Sequence, residues 1–341
     1  MRGAVRVGAA GAAVLGLLVA LGPRVEMDLE VPPAELPPGS PQELADTLQA
    51  RESALGDVTP GAEKQVVFAR PDGPAPTPLA VVYVHGFSAT RQEVSPLPEL
   101  LADSLGANLF LTRLTGHGRG SAAMAEASLN DWLRDVEEAL AVGGRLGARI
   151  VLVGTSTGGT LALWAAAQPR WRSRLAGVFL ISPNLGLPDP RARILLWPWG
   201  GALARLVEGP DRSFEPRNAL QERYWTTRYP TAALLPMMAA VKMIEETPLG
   251  AVEAPTLIAY DPDDDVVDPR ETERRFPDLG SPVKRLQPVT VPEGADAHVI
   301  AGDILNPALT VPLLTEVLDF LRAAGVVAER SAGRPLREPD L

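Results

Sequence analysis

The stretch Arg149-Ile150-Val151-Leu152-Val153-Gly154-Thr155-Ser156-Thr157-Gly158-Gly159 joins an apolar run to a glycine-rich turn. Its first five residues have the length and branched side chains of a buried strand. Beyond the glycines, Leu161, Trp164 and Ala165 recur at helical spacing. A G-x-S-x-G at a strand-to-helix turn is the pattern of a nucleophile elbow: small residues permit a tight turn, and the serine hydroxyl stands clear of the sheet. Two other glycine-rich turns fail on single residues. A phosphate-binding loop needs lysine after its last glycine, where this chain has Thr160. A dinucleotide fingerprint needs glycine at the position Ser156 fills. A strand–helix connection rich in small residues but without chemistry stays open on these residues alone.

Composition narrows the field. The chain has 341 residues, and 46% of them are hydrophobic, enough for one large core with an inserted segment. A net charge of -10 argues against general nucleic-acid binding, which needs a basic face. There are no cysteines, so disulfides, thiolate metal sites and a cysteine nucleophile are excluded. Any imidazole chemistry must use His85, His117 or His298, the three histidines of the sequence.

Residues 1–22 place Arg2 and Arg6 ahead of an uncharged run from Val7 to Gly22, the charged-then-apolar order of an export signal. The run is shorter than the roughly 20 residues of a comfortable membrane span. It reads either as a cleaved signal or as a retained anchor, and both put the protein outside the cytoplasm or at a membrane. Residues 23–60 form a spacer stiffened by Pro32, Pro33, Pro37, Pro38 and Pro41, followed by a short helix carrying Leu44 and Leu48. Strand and helix patterns then alternate, as in an α/β protein with a mostly parallel sheet flanked by helices. The expected strands are Gln65–Ala69, Ala80–Val84, Asn108–Thr112, Arg149–Val153, Gly177–Ser182, Thr256–Tyr260 and Arg285–Thr290. Helices are expected over Asp131–Ala141 and Val311–Ala323. Residues 184–254 interrupt the alternation and read as a helical cap inserted between core segments 61–183 and 255–325, with a tail at 326–341. The Trp and Leu of Leu195-Leu196-Trp197-Pro198-Trp199 fit two readings, an apolar surface facing substrate or membrane, or a buried helical layer.

A serine hydroxyl becomes a useful nucleophile when a base takes its proton and an acid orients the base. The run Asp261-Pro262-Asp263-Asp264-Asp265-Val266-Val267-Asp268 directly follows the Thr256–Tyr260 strand, where such an acid belongs. His298 lies in the loop after the next strand and is the one histidine C-terminal to Ser156. A calcium loop fits poorly, because Val266 stands where glycine is needed and Thr272 where a bidentate glutamate is needed. For the oxyanion, the donors in position are the backbone N–H of Thr157, after the nucleophile, and of Phe87, after the strand ending in His85-Gly86. His85 and His117 then read as loop-bracing residues, and no metal site is expected.

Taken together, His85-Gly86-Phe87, Arg113-Leu114-Thr115-Gly116-His117-Gly118, the turn around Ser156, Asp264-Asp265-Val266-Val267 and His298-Val299 resemble the α/β-hydrolase superfamily. Within it the chain is similar to bacterial carboxylesterases and monoacylglycerol lipase-like serine hydrolases, over roughly Gln65 to Ala323. The resemblance implies the α/β-hydrolase fold and picks Asp264 as the acid, in a D-x-V-V context, with Asp261 and Asp263 as alternates. It implies a serine esterase acting on a small, lipid-like ester through an acyl-enzyme, with the triad Ser156, Asp264 and His298 and no cofactor. An aminopeptidase, amidase or acyltransferase would use the same triad, and a non-catalytic scaffold would keep the fold alone. One departure stands out: Arg113 occupies a position where many monoacylglycerol lipase-like members have aspartate.

Overall fold

The computed structural model describes Gly16 and residues 21–327. Nearly all of the proposed signal or anchor, and the tail from residue 328, lie outside the described residues. The strands are β1 (Gln65–Val67), β2 (Thr77–Val84), β3 (Asn108–Leu111), β4 (Gly147–Thr155) and β5 (Leu175–Ile181). They continue with β6 (Asp211–Ser213), β7 (Arg228–Pro230), β8 (Thr256–Tyr260) and β9 (Lys284–Pro288). The longer helices are α1 (Pro41–Leu55), α2 (Leu97–Leu105), α3 (Leu129–Leu146) and α4 (Thr157–Ala167). After β5 come α5 (Gly200–Glu208), α6 (Ala219–Tyr224), α7 (Leu234–Glu246), α8 (Pro269–Arg275) and α9 (Pro307–Ala323).

Seven strands form one sheet in the order β1-β3-β2-β4-β5-β8-β9. β1 runs antiparallel to β3, and every other pairing in that sheet is parallel. The register sets Val82 beside Leu152, Leu152 beside Val178, and Leu180 beside Ile258. Strands covered by helices on both faces need continuous apolar runs rather than alternation, and the central strands have them. One face packs on α3, α4 and α7, with Trp132, Leu140, Leu161 and Ile244 buried there. The other face packs on α2 and α9 through Leu97, Leu101, Val317 and Leu321. β3 lies on one side of β2 and β4 on the other, so the chain reverses its direction of travel between them. The carboxyl ends of β2 and β4 therefore flank a topological switch point, where open α/β sheets bind ligands.

Element ends differ from the sequence expectation by a few residues in most strands, and at β2 and α9 proline is the reason. β2 starts at Thr77 rather than Ala80, because Pro78 hides the strand pattern although the chain is extended there. α9 starts at Pro307, whose missing N–H would have no partner in a first turn anyway, and it accommodates Pro312 one turn later. α3 runs beyond the expected ends at both sides, its start fixed by a capping box between Ser128 and Asp131.

Between β5 and β8 the chain forms α5, the β6–β7 hairpin, α6 and α7. The hairpin carries no apolar alternation and was not foreseen. Leu195, Met237 and Met238 are buried, as the helical-layer reading expects, while Trp197 is 60% exposed. The stretch is tied to the end of β2, since Thr226 N–H donates to the Ser88 carbonyl at 2.7 Å and the Tyr229 ring meets Phe87 edge-on at 5.2 Å.

The proline-rich segment is extended and lies along the core. Asn130 Nδ2 donates to the Asp28 and Glu30 carbonyls, and Arg170 to that of Val31. α1 is locked in more firmly. Leu44 and Leu48 enter the core, and Glu52 takes two hydrogen bonds from Arg113, at 2.6 and 2.9 Å, with both side chains buried. Burial pushes the Glu52 carboxyl up, but the bonds and charge of Arg113 outweigh it and leave the group below its usual range. This pair accounts for arginine at position 113. Removing one partner strands a buried charge, so Glu52→Ala is expected to cost about 3–5 kcal/mol in urea-induced unfolding. A loss under about 1 kcal/mol would mean that water reaches Arg113 and the pair is in effect a surface one.

Candidate active site

β4 ends at Thr155 and α4 begins at Thr157, which leaves Ser156 alone in the turn with φ 51° and ψ −120°. Residues other than glycine seldom adopt this backbone, and holding one there costs of order 1–3 kcal/mol. Main-chain bonds hold it: Ser156 N–H donates to the Ile181 carbonyl, and the Ser156 carbonyl accepts from Asn184 and Thr160 N–H. A Cβ on Gly158 would lie 2.1 Å from the Val84 carbonyl oxygen, so the helix can press against the end of β2 only if this residue is glycine. Ser156 is 7% exposed.

Gly86 follows β2 and touches the elbow: a Cβ there would lie 3.1 Å from that of Ser156. The ring of His85 fixes this loop. Leu114 N–H donates to His85 Nε2 at 3.0 Å, so the ring proton sits on Nδ1, which donates to the Gly86 carbonyl at 2.9 Å. Burial, reinforced by nearby His117, holds the His85 pKa well below its usual value and keeps the ring neutral. The Gly86 carbonyl and the Phe87 N–H belong to one peptide, so this bond also sets the direction of the Phe87 donor. Among the described residues, neither the Phe87 nor the Thr157 amide donates to a protein acceptor. His117 packs among His85, Phe87 and Trp132, and burial pushes its pKa down to about 4. Both histidines brace loops, as their sequence contexts suggested.

Asp264 and His298 meet directly. His298 Nδ1 donates to Asp264 Oδ2 at 2.7 Å, and Asp264 Oδ1 accepts from Val266 and Val267 N–H, which fixes the carboxylate. Burial alone would lower the His298 pKa, but the hydrogen bond and charge of Asp264, followed by Asp296 and Glu93, raise it above 6.5. With its proton on Nδ1, the ring keeps a lone pair on Nε2. Asp261 does other work: its two oxygens accept from Asp263 and Val291 N–H, tying the loops after β8 and β9 together. Among the described residues no group of three or more His, Asp or Glu side chains is arranged to hold a metal ion. No hydrogen bond joins Ser156 Oγ to His298 among those residues, and such bonds commonly tighten when substrate binds.

Sequence reasoning missed two carboxylates at this site. Asp296 accepts from the His298 and Val299 amides and so shapes the histidine loop, with Asn306 holding the carbonyls of Asp296 and Val299. The proximity of Asp296 to His298 in sequence was the available signal. Glu93 is buried behind Gly86, and its setting in Arg91-Gln92-Glu93 carries no pattern to reveal it.

The arrangement is a strained serine on a strand–helix elbow, two unused amides beside it, and an Asp–His pair on loops after later strands. A family model described as the alpha/beta hydrolase family matches residues 81–310. The chain belongs to this family. The alpha/beta hydrolase is 29% identical over 209 residues to the thermostable monoacylglycerol lipase of Bacillus sp. (strain H-257), spanning 61% of this chain and 80% of that one. Among solved structures it is similar to one from the pair of metagenome-derived lipolytic enzymes LipS and LipT, with TM-score 0.64 and 25% identity, covering 78% of this chain and 99% of the other. It also shares its fold with the Paleococcus ferrophilus monoacylglycerol lipase, with TM-score 0.56 and 18% identity over 76% of this chain and 98% of that one.

Proposed function

We propose that this alpha/beta hydrolase cleaves carboxylic esters of lipid-like acids through an acyl-enzyme on Ser156. The observation that carries the reading is the 2.7 Å bond from His298 Nδ1 to Asp264, which leaves Nε2 as a base in a chain that also holds a serine in a strained elbow. His298 Nε2 takes the Ser156 proton as Oγ attacks the ester carbonyl, and Asp264 stabilises the imidazolium that forms. The Phe87 and Thr157 amides receive the negative charge that develops on the carbonyl oxygen, each worth about 3 kcal/mol in the transition state. His298 returns the proton to the leaving alcohol, and water, activated the same way, releases the acid. Every group this sequence of steps requires is a protein residue or water.

The lipid-like preference rests on the monoacylglycerol lipase and lipolytic relatives, and on apolar residues between β5 and β8, which we read as a cap that shapes the acyl pocket. Residues 1–22 would carry the chain to the cell envelope, as signal or anchor. The test is a panel of p-nitrophenyl esters of graded chain length set beside aminoacyl anilides. Turnover of the esters, with a dependence on chain length, is expected. Turnover of the anilides alone would replace the esterase reading with an aminopeptidase or amidase.

A further inference from the structure

Glu93 lies at the meeting point of the loops that carry the proposed chemistry, yet no step above uses it. It is 2% exposed, on the turn between the oxyanion loop and α2. Its Oε1 accepts from Gly86 N–H at 2.6 Å and from the Tyr83 hydroxyl at 2.6 Å. Tyr83 Oη also lies 3.1 Å from Thr155 Oγ1, on the residue before the nucleophile. The backbone of Glu93 meets the histidine loop, where a Cβ on Gly302 would lie 2.6 Å from the Glu93 carbonyl oxygen. Asp303 N–H donates to the Ser95 carbonyl at 2.9 Å beside it. The Glu93 side chain thus joins the oxyanion loop to the elbow through Tyr83, and its backbone packs on the histidine loop.

Gly86 is gripped from two sides. His85 holds its carbonyl and Glu93 holds its N–H, so the peptide that presents the Phe87 donor has little freedom left. A glycine has no side chain of its own to restrict it, and without both grips its backbone would sample other conformations. We propose that Glu93 is a positioning residue for the oxyanion donor of Phe87. This rests on the triad reading given above.

The Tyr83 hydroxyl from β2 donates to this carboxyl, and Gly86 N–H shares the same oxygen. Burial is the main reason the Glu93 carboxyl is pushed up to about 7. When ionised it favours the protonated imidazole, and it is one of the groups raising the His298 pKa.

The experiment uses the full chain with Glu93→Ala, Glu93→Gln and Ser156→Ala, each checked by thermal melting. Glu93→Ala is expected to lower kcat on the preferred ester about 100-fold with KM little changed, the scale of a small misplacement of a reacting group. Affinity for an alkyl boronic acid, whose tetrahedral adduct fills the oxyanion site, should fall by a similar factor. Glu93→Gln keeps an acceptor for Gly86 and Tyr83, so it should restore the boronate affinity. A folded Glu93→Ala with wild-type kcat and boronate affinity would overturn the proposal. So would a folded Glu93→Gln whose boronate affinity stays as low as that of Glu93→Ala. If the alanine variant fails to fold, Glu93→Leu, which fills the space without an acceptor, decides the matter, and wild-type boronate affinity there overturns the proposal. An active Ser156→Ala would instead sink the triad reading beneath it, so the two failures are distinguishable.

Discussion

Ser156→Ala is expected to cut ester turnover about a million-fold, the scale seen when a triad nucleophile is removed from a serine hydrolase. A fluorophosphonate probe should label the wild-type protein and leave the variant unlabelled. The fold should survive, because the three main-chain bonds that hold position 156 involve no side-chain atom. Alanine inherits the same φ of 51°, so it keeps the backbone strain. Ser156→Gly, equally inactive, should melt higher, since glycine occupies that region without penalty. Wild-type turnover by Ser156→Ala would move the chemistry elsewhere in the chain.

Asp264→Asn has the next largest expected effect, about 10⁴-fold in kcat, because an amide no longer selects the Nδ1–H tautomer that leaves Nε2 free. The pH profile supplies a second check. In the wild type the bond and charge of Asp264 overcome burial and lift the His298 pKa above 6.5, and the base must be neutral to act. Activity should therefore rise with pH through a value above 6.5, and in the variant that limb should move down. The sign for stability is the opposite of that for activity. A raised folded-state pKa contributes stability that is fully present below the unfolded value and is lost as pH rises through the folded one. Asp264→Asn should accordingly lose most stability relative to wild type on the acid side of that window. Asp261→Asn is the control, expected to retain kcat; activity lost there and kept in Asp264→Asn would exchange the two assignments.

Local pattern carried much of this molecule. The elbow around Ser156, the acidic run after a strand and a lone histidine downstream were all visible because each is defined by neighbours in sequence. Asp264 and His298 then proved to lie within hydrogen-bonding distance. What stayed hidden depends on residues far apart along the chain. Glu52 and Arg113 pair across the helix–core boundary, so α1 looked like part of a spacer. Glu93 gains its meaning from Gly86 and Tyr83, which only the folded loops bring to it. The β6–β7 hairpin is short and polar, and nothing in its residues distinguishes a paired strand from a loop.

β5 and β8 are hydrogen-bonded neighbours inside the sheet, although all of residues 182–255 intervene between them. For a flexible connection that long, closure entropy grows only logarithmically, and doubling its length adds about 0.6 kcal/mol. Apart from α7, which packs on the sheet, strand pairing therefore sets little limit on how much chain is threaded between Ile181 and Thr256. Insertions or deletions outside α7, whose Met238 and Ile244 belong to the core, are expected to leave the register of the strands on either side intact. On the cap reading, the part proposed to shape the substrate pocket can change in length without moving the strands that carry the proposed catalytic loops.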